Sequence, residues 1–229
     1  MAGMTDLSTP ISDRTTVRRL PDRGRYERSD IDAILDEGLV CHIGFVGDGG
    51  HPVVIPTTYA RDGDSVVVHG SPASRMLRSL KGGVDMCLTV TLIDGMVLAR
   101  SAFHHSMNYR SVVVFGRGEA VTDHDEKRRA MDVLVEHLVP GRTASARGPS
   151  EQELRSTLVL RLPLDEASAK VRTGPPIDDE EDLDLPVWAG VLPVRLATGA
   201  PAPDPHLAPG MPVPEHVAGW SRGAAPAPR

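Results

Sequence analysis

The stretch Val66-Val67-Val68-His69-Gly70-Ser71-Pro72-Ala73-Ser74-Arg75-Met76 joins a β-branched run to the start of a helix. Three valines favour a strand, and Gly70 ends it. Ser71 and Pro72 are the residue types of a helix N-cap and first helical position. The pattern predicts a strand over 65–69 and a helix over 72–80 that Gly82-Gly83 stops. The first N–H groups of a helix lack internal partners, and the aligned peptide dipoles favour an anion there. Ser74 and Arg75 add a hydroxyl and a planar guanidinium. The segment reads as a phosphate seat or as an ordinary capped helix with a solvated arginine.

Strand patterns lie on both sides of it. Leu39–Val46 is apolar, Gly47-Asp48-Gly49-Gly50 is a turn, Pro52–Tyr59 resumes the strand, and Arg61-Asp62-Gly63-Asp64 turns again. Beyond the helix, Val84–Ile93 alternates apolar and polar residues. Asp94-Gly95 then has hairpin chemistry, with Met96–Ser101 as its return strand. Arg110–Val121, Leu158–Leu164 and Ala169–Arg172 continue the series, and Trp188–Leu196 is a last apolar segment. Two helices frame it. Ser29 opens one, with the stripe Ile31, Ile34 and Leu35, Asp32 at the capping-box position and Gly38 as its stop. Asp123–Val139 is the other, with Met131, Leu134, Val135 and Leu138 on one face. Short strands joined by Asp/Gly turns, without strand–helix alternation, predict a mainly β fold: a closed antiparallel barrel with flanking helices. Residues 1–28 read as a polar arm and 29–196 as the barrel domain. The Pro/Ala-rich residues 197–229 read as a tail, disordered or wrapped in extended form over a partner subunit.

Composition narrows the function. A net charge of −6 and 3% aromatics give no support to nucleic-acid binding. The N-terminus has no apolar signal core, and no apolar run approaches the ~20 residues of a membrane span. Cys41 and Cys87 sit in apolar strand patterns and read as buried free thiols, so a soluble cytoplasmic protein is expected.

Three further segments are dense in chemistry. Ser101–Ser111 carries His104, His105 and Tyr109. Neighbouring histidines on an extended chain point to opposite sides, which disfavours a metal site, and no G-x-S-x-G elbow supports a hydrolase. A polar loop whose side chains satisfy one another is the plainer reading. Pro52–Tyr59 contains Pro56, which cannot donate to a ladder and marks an edge or bulge; free backbone groups beside it suit a flat heterocycle. Ala169–Pro176 precedes Trp188-Ala189-Gly190, where a tryptophan among small residues covers a ring, closes a subunit interface or fills the core.

Taken in order, four segments carry a resemblance. They are Tyr26-Glu27-Arg28 with its helix, His69–Met76, Phe103–Ser111, and Lys170–Pro175 with Trp188-Ala189-Gly190. Over roughly residues 15–196 the chain resembles the FMN-binding split-barrel proteins related to pyridoxamine 5′-phosphate oxidase, and within them the 5-nitroimidazole-resistance branch. The resemblance implies an antiparallel split barrel and a homodimer with FMN at the subunit interface. Val54, Ile55, Pro56 and Thr57 would line the isoalloxazine through their backbone. His69 and Gly70 would lie beside the ribityl chain and phosphate, and Ser74 and Arg75 would hold the phosphate. Ser111 would reach the flavin from the neighbouring subunit, and Trp188 would flank it; Arg195 matches a later arginine at shorter spacing. Met76 stands where the oxidases have a lysine, so pyridoxamine-phosphate oxidation is not expected. The implied activity is flavin-dependent reduction of small electron-poor compounds such as nitroaromatics, with NAD(P)H as donor and His104, His105 or Tyr109 as proton donors or substrate-orienting groups. The alternatives are a relative that takes the deazaflavin F420 or haem in the same cleft, and a flavin-sequestering protein without turnover.

Overall fold

Alternation decides the first strands, because side chains of a strand point to opposite faces in turn. In a computed structural model that describes residues 9–222, Cys41, Ile43 and Phe45 of β2 (Val40–Val46) are buried, while Val40, His42 and Val46 face outward. The other strands are β1 (Gly24–Arg25), β3 (Pro52–Thr58), β4 (Ala60–Asp62), β5 (Ser65–Gly70), β6 (Asp85–Leu98), β7 (Ser106–Arg117), β8 (Glu119–Ala120), β9 (Leu158–Pro163), β10 (Glu166–Arg172) and β11 (Gly190–Pro193). The helices are α1 (Arg28–Glu37), α2 (Arg75–Lys81), α3 (His124–Leu138), α4 (Glu151–Arg155) and α5 (Glu215–Ala218). Among the described residues, one sheet runs β1-β10-β7-β6-β2-β3 with β11 added on β6, and the other runs β4-β5-β9-β8. The pairings are antiparallel.

Leu35, Ile43, Leu88, Val112 and Val114 meet Val66, Leu160 and Leu162 in the core between the sheets. A second cluster, Ala60, Val67, Ala130, Leu134 and Val159, seats α3 on the far side of β4 and β5. This explains the unbroken valine run. Val66 and Val68 face the barrel and Val67 faces α3, so both faces of β5 are covered. The fold is thus an antiparallel split barrel with flanking helices.

Several local expectations are corrected. The Asp94-Gly95 hairpin does not form; β6 runs through it as one 14-residue strand, with a register shift between Ile93 and Gly95. The dipeptide makes a bulge instead. A Cβ on Gly95 would lie 2.9 Å from Val191 Cγ1 and 3.1 Å from the Leu192 carbonyl, so the glycine leaves room for β11 to pair closely beside β6. The helix after β5 starts at Arg75, not Pro72. Ser71 and Pro72 form a turn in which the Ser74 N–H donates to the Ser71 carbonyl at 2.9 Å, and Ser74 Oγ caps α2 by accepting from the Leu77 N–H. α1 starts at Arg28, and Asp32 pairs with Arg28 one turn away rather than closing a capping box. Gly38 ends α1 at φ −68°, where any residue fits; its role is space, because a Cβ would lie 2.5 Å from both Tyr59 Oη and Val90 Cγ1.

Residues on either side of the barrel pack against it. The Val17 N–H donates to Tyr26 Oη at 2.9 Å, and β1 pairs with β10. The tail docks on its own barrel: Trp220 Nε1 donates to the Leu138 carbonyl at 2.7 Å, and Arg222 donates to the Asp36 carbonyl. Cys41 and Cys87 are unpaired, and burial pushes the Cys41 thiol up to about 12. No helix of the described residues is long and apolar enough to cross a membrane.

Candidate functional site

The β5–α2 junction delivers Arg75 to the mouth of a cleft of about 290 Å³. Phe45, Val53, Ile55 and Met76 form apolar walls, and the Gly47–His51 turn between β2 and β3 closes one side. Arg75 is exposed and has no hydrogen bond or carboxylate partner among the described residues. A free guanidinium at the end of an apolar slot is the donor set that a phosphate or carboxylate on a flat body calls for. Ile55 and Arg75 therefore share one cleft. Ser74 lies beside it, with its hydroxyl committed to the α2 cap at 3.4 Å. His69 and Gly70 end β5 behind α2, and a Cβ on Gly70 would lie 3.0 Å from Leu77 Cδ1. His69 Nδ1 is buried with no hydrogen-bond partner among the described residues, and burial lowers the imidazole pKa.

Among the described residues β3 is an edge strand, bonded on one side only, to β2. Its other backbone edge is free, and Val54 and Ile55 are 62% and 37% exposed on it. Register places the outward side chains in rows across the large sheet. Val54 faces Gly44, which faces Cys87. Pro56 faces His42, then Thr89, then Val113. Thr58 faces Val40, and Thr91 faces Ser111. Val54, Pro56 and Ser111 thus share one outer sheet face, but three strand spacings, about 14 Å, separate β3 from β7. Thr57 alternates to the other face with Ile55. Ser111 Oγ donates to the Lys170 carbonyl at 3.3 Å.

His104, His105 and Tyr109 lie at the other end of the sheet. β6 runs from Met86, paired with Phe45 near the Arg75 cleft, to Leu98, about 40 Å along the strand. A single chain therefore does not bring these three to the Arg75 cleft. His104 Nε2 contacts Asp179 Oδ2 at 3.0 Å, and the carboxylate raises the histidine pKa. His105 Nδ1 faces the Ser101 carbonyl at 2.9 Å, and Tyr109 lies between Ile93 and Arg172 in the ladder. Trp188 shares this end. It is 68% exposed and covers Gly190, where a Cβ would lie 2.9 Å from the indole.

Sequence reading missed the role of Arg110 and the cavity beside the two acids it bonds. Arg110 donates to Glu37 at 2.5 and 2.8 Å and to Asp94 at 2.9 and 2.8 Å. The Glu37 bonds, then the Asp94 bonds, hold its pKa above the usual arginine value. A cavity of about 510 Å³ lies over Glu37 and Asp94, between the start of β2, the β6 bulge and residues 194–196. Among the described residues no cluster of three His, Cys, Asp or Glu side chains could hold a metal ion.

The family model of pyridoxamine 5′-phosphate oxidase matches residues 27–171. No match was found among curated proteins. Among solved structures, the flavocytochrome Anf3 from Azotobacter vinelandii is 42% identical, with 93% of this chain and 99% of that chain covered and a TM-score of 0.87. The FAD and haem binding protein from Mycobacterium smegmatis is 40% identical, with 87% and 98% covered and a TM-score of 0.83. A candidate 5-nitroimidazole antibiotic resistance protein from Bacteroides thetaiotaomicron is 25% identical, with 65% and 86% covered and a TM-score of 0.55. The ladder order, the edge strand beside a free arginine and the extent of the match agree: this chain belongs to the pyridoxamine 5′-phosphate oxidase family of split barrels.

Proposed function

We propose that this protein is a flavin-binding oxidoreductase that also carries haem, in the manner of a flavocytochrome. The observation that carries the flavin is the uncompensated Arg75 guanidinium at the mouth of an apolar cleft beside a free strand edge. Arg75 would hold the flavin phosphate, and the free β3 backbone would meet the polar rim of the ring. The haem rests on the likeness to two proteins at 40% identity or more, whose names state a flavocytochrome and FAD with haem. When bound, these groups supply electron transfer, and the protein supplies position, charge and exclusion of water. FMN is the flavin that the family resemblance implies; FAD is the one that the mycobacterial relative's name carries.

We also propose a homodimer. Residues 14–19 cover the outer sheet face at Ser111, Val113 and Phe115, but among the described residues no second layer lies over its Val54, His42 and Thr89 part, and sheets bury such faces. A partner related by a twofold axis would bring its Ser111 and its 104–109 segment toward this chain's flavin. Light scattering should give twice the chain mass, and a monomer with a full complement of flavin would contradict the shared site.

The purified protein should show flavin absorbance near ~450 nm together with a Soret band, and mass spectrometry of the released cofactor separates FMN from FAD. Arg75→Ala removes a charge-assisted contact worth ~1.5–3 kcal/mol, so flavin affinity should fall about tenfold or more. Unchanged affinity would remove Arg75 from the site. A second reading, reduction of nitroaromatics with NAD(P)H, has the 25% identity to the resistance protein in its favour. Steady-state turnover with NADPH and a nitroimidazole separates it from flavin binding without turnover.

A further inference from the structure

The 510 Å³ cavity falls in the size range of ligand sites and contains no residue of the Arg75 cleft. Its walls are apolar: Leu39, Val40, Leu92 and Ile93 on one side, Val194 and Leu196 on the other. Its two acids are already neutralised. Arg110 lies between Glu37 and Asp94 and bonds both oxygens of each. Two other cations line it, Arg195 and Arg222.

Arg222 is the unusual one. The C-terminal tail brings it back over the barrel, where Trp220, anchored to the Leu138 carbonyl, lies under its guanidinium at 5.9 Å. One nitrogen donates to the Asp36 backbone carbonyl, but the Asp36 carboxylate is taken by Arg61 at 2.7 and 2.8 Å. Arg222 Nε and Nη2 are buried and have no hydrogen-bond partner among the described residues. A guanidinium that loses water at two donors without gaining acceptors is unfavourable, and a bidentate carboxylate satisfies both. His42 lines the same cavity and has no hydrogen-bond partner among the described residues.

We infer that this cavity, walled by the protein's own tail, binds a planar apolar ligand through its carboxylate, with Arg222 as the carboxylate anchor, Arg195 as the second cation and His42 facing the ring. Two sources supply that chemistry: the propionate edge of haem, with His42 as the nitrogen ligand, or a small aromatic acid that reaches the redox centre as substrate. The inference rests on the haem reading proposed above, and not on which flavin fills the Arg75 cleft.

The test uses the full-length protein as purified, with Arg222→Leu, Arg222→Lys, Arg195→Leu and His42→Ala variants. Haem and flavin contents are read from spectra and extracted cofactor, and 2-naphthoate binding is read by calorimetry, with 2-naphthylmethanol as the uncharged control. If haem is the ligand, Arg222→Leu lowers haem affinity about tenfold or more, Arg222→Lys recovers part of it, His42→Ala shifts the Soret band, and flavin content is unchanged. If an aromatic acid is the ligand, naphthoate but not the alcohol binds the haem-loaded protein. Arg222→Leu and, less severely, Arg195→Leu then weaken that binding while haem content stays constant. Near-ultraviolet circular dichroism establishes that each variant is folded. The inference fails if neither haem retention nor naphthoate affinity changes in folded Arg222→Leu, or if the wild type binds neither ligand.

Discussion

Arg110→Met should destabilise this protein more than any other single loss of a surface-reaching cation. The guanidinium bonds Glu37 and Asp94 through four contacts of 2.5–2.9 Å, and the three side chains are only 14%, 22% and 11% exposed. Methionine keeps the stem's packing and removes the charge, which leaves two carboxylates facing each other with little water. Removing one partner of a fully buried ion pair costs ~3–5 kcal/mol; with up to a fifth of the surface wet, the lower end applies, about 3 kcal/mol. For a chain of this size each 1 kcal/mol moves the melting point by ~2–4 °C, so Tm should fall by about 6–12 °C. The triple variant Arg110→Met, Glu37→Gln, Asp94→Asn has no stranded charge and should recover more than half of the loss, because a neutral replacement of such a network is often near break-even. Thermal melts at saturating flavin, followed by far-ultraviolet circular dichroism, read both values. A loss below about 1 kcal/mol for the single variant, or a triple variant no more stable than the single, would refute the reasoning.

Gly38→Ala should cost ~1–3 kcal/mol by overpacking, since its Cβ would sit 2.5 Å from Tyr59 Oη and Val90 Cγ1. Val90→Ala in the same chain should relieve part of that cost in a double-mutant cycle of urea melts. His104 should titrate above 6.5 by NMR, and Asp179→Asn should return it toward that value. Because the folded pKa is raised, what this contact contributes to stability is complete below pH ~6.5 and fades as pH rises through the folded pKa. An unshifted His104 midpoint in the wild type would break the assignment of the Asp179 contact.

Local rules located most of the elements. The alternation in Val40–Val46, the valine run of β5 and the apolar face of α3 each follow from a period that burial enforces. Failures came where two local readings were equally good. Ser71 and Ser74 both have capping chemistry, and the hydrogen bond from the Leu77 N–H chooses Ser74. Asp94-Gly95 suits a hairpin or a bulge; the pairing of β11 at Gly95 and the bonds from Arg110 to Asp94 hold it as a bulge. The capping box Ser150–Glu153 of α4 is legible in the sequence, set within a loop-like composition.

The candidate site divides the same way. Arg75 could be singled out from its place after a strand, a glycine and a serine, since those residue types set where the chain turns. That Arg75 has no partner while Arg110 has two carboxylates cannot be read from sequence. Pairing depends on which strands lie side by side, and residues 37, 94 and 110 meet only through the β6–β7 ladder and the end of α1. Trp220 and Arg222 gave no period at all in a Pro/Ala-rich tail, yet Trp220 bonds the tail to the barrel and Arg222 lines the larger cavity. Most strands, the two long helices and the family resemblance were legible in the residues, because periodicity and turn chemistry act over a few positions. Charge neutralisation is a property of neighbours in space, so which cations are left without a carboxylate, and that the two ends of β6 lie too far apart to share a site within one chain, follow from the tertiary structure alone.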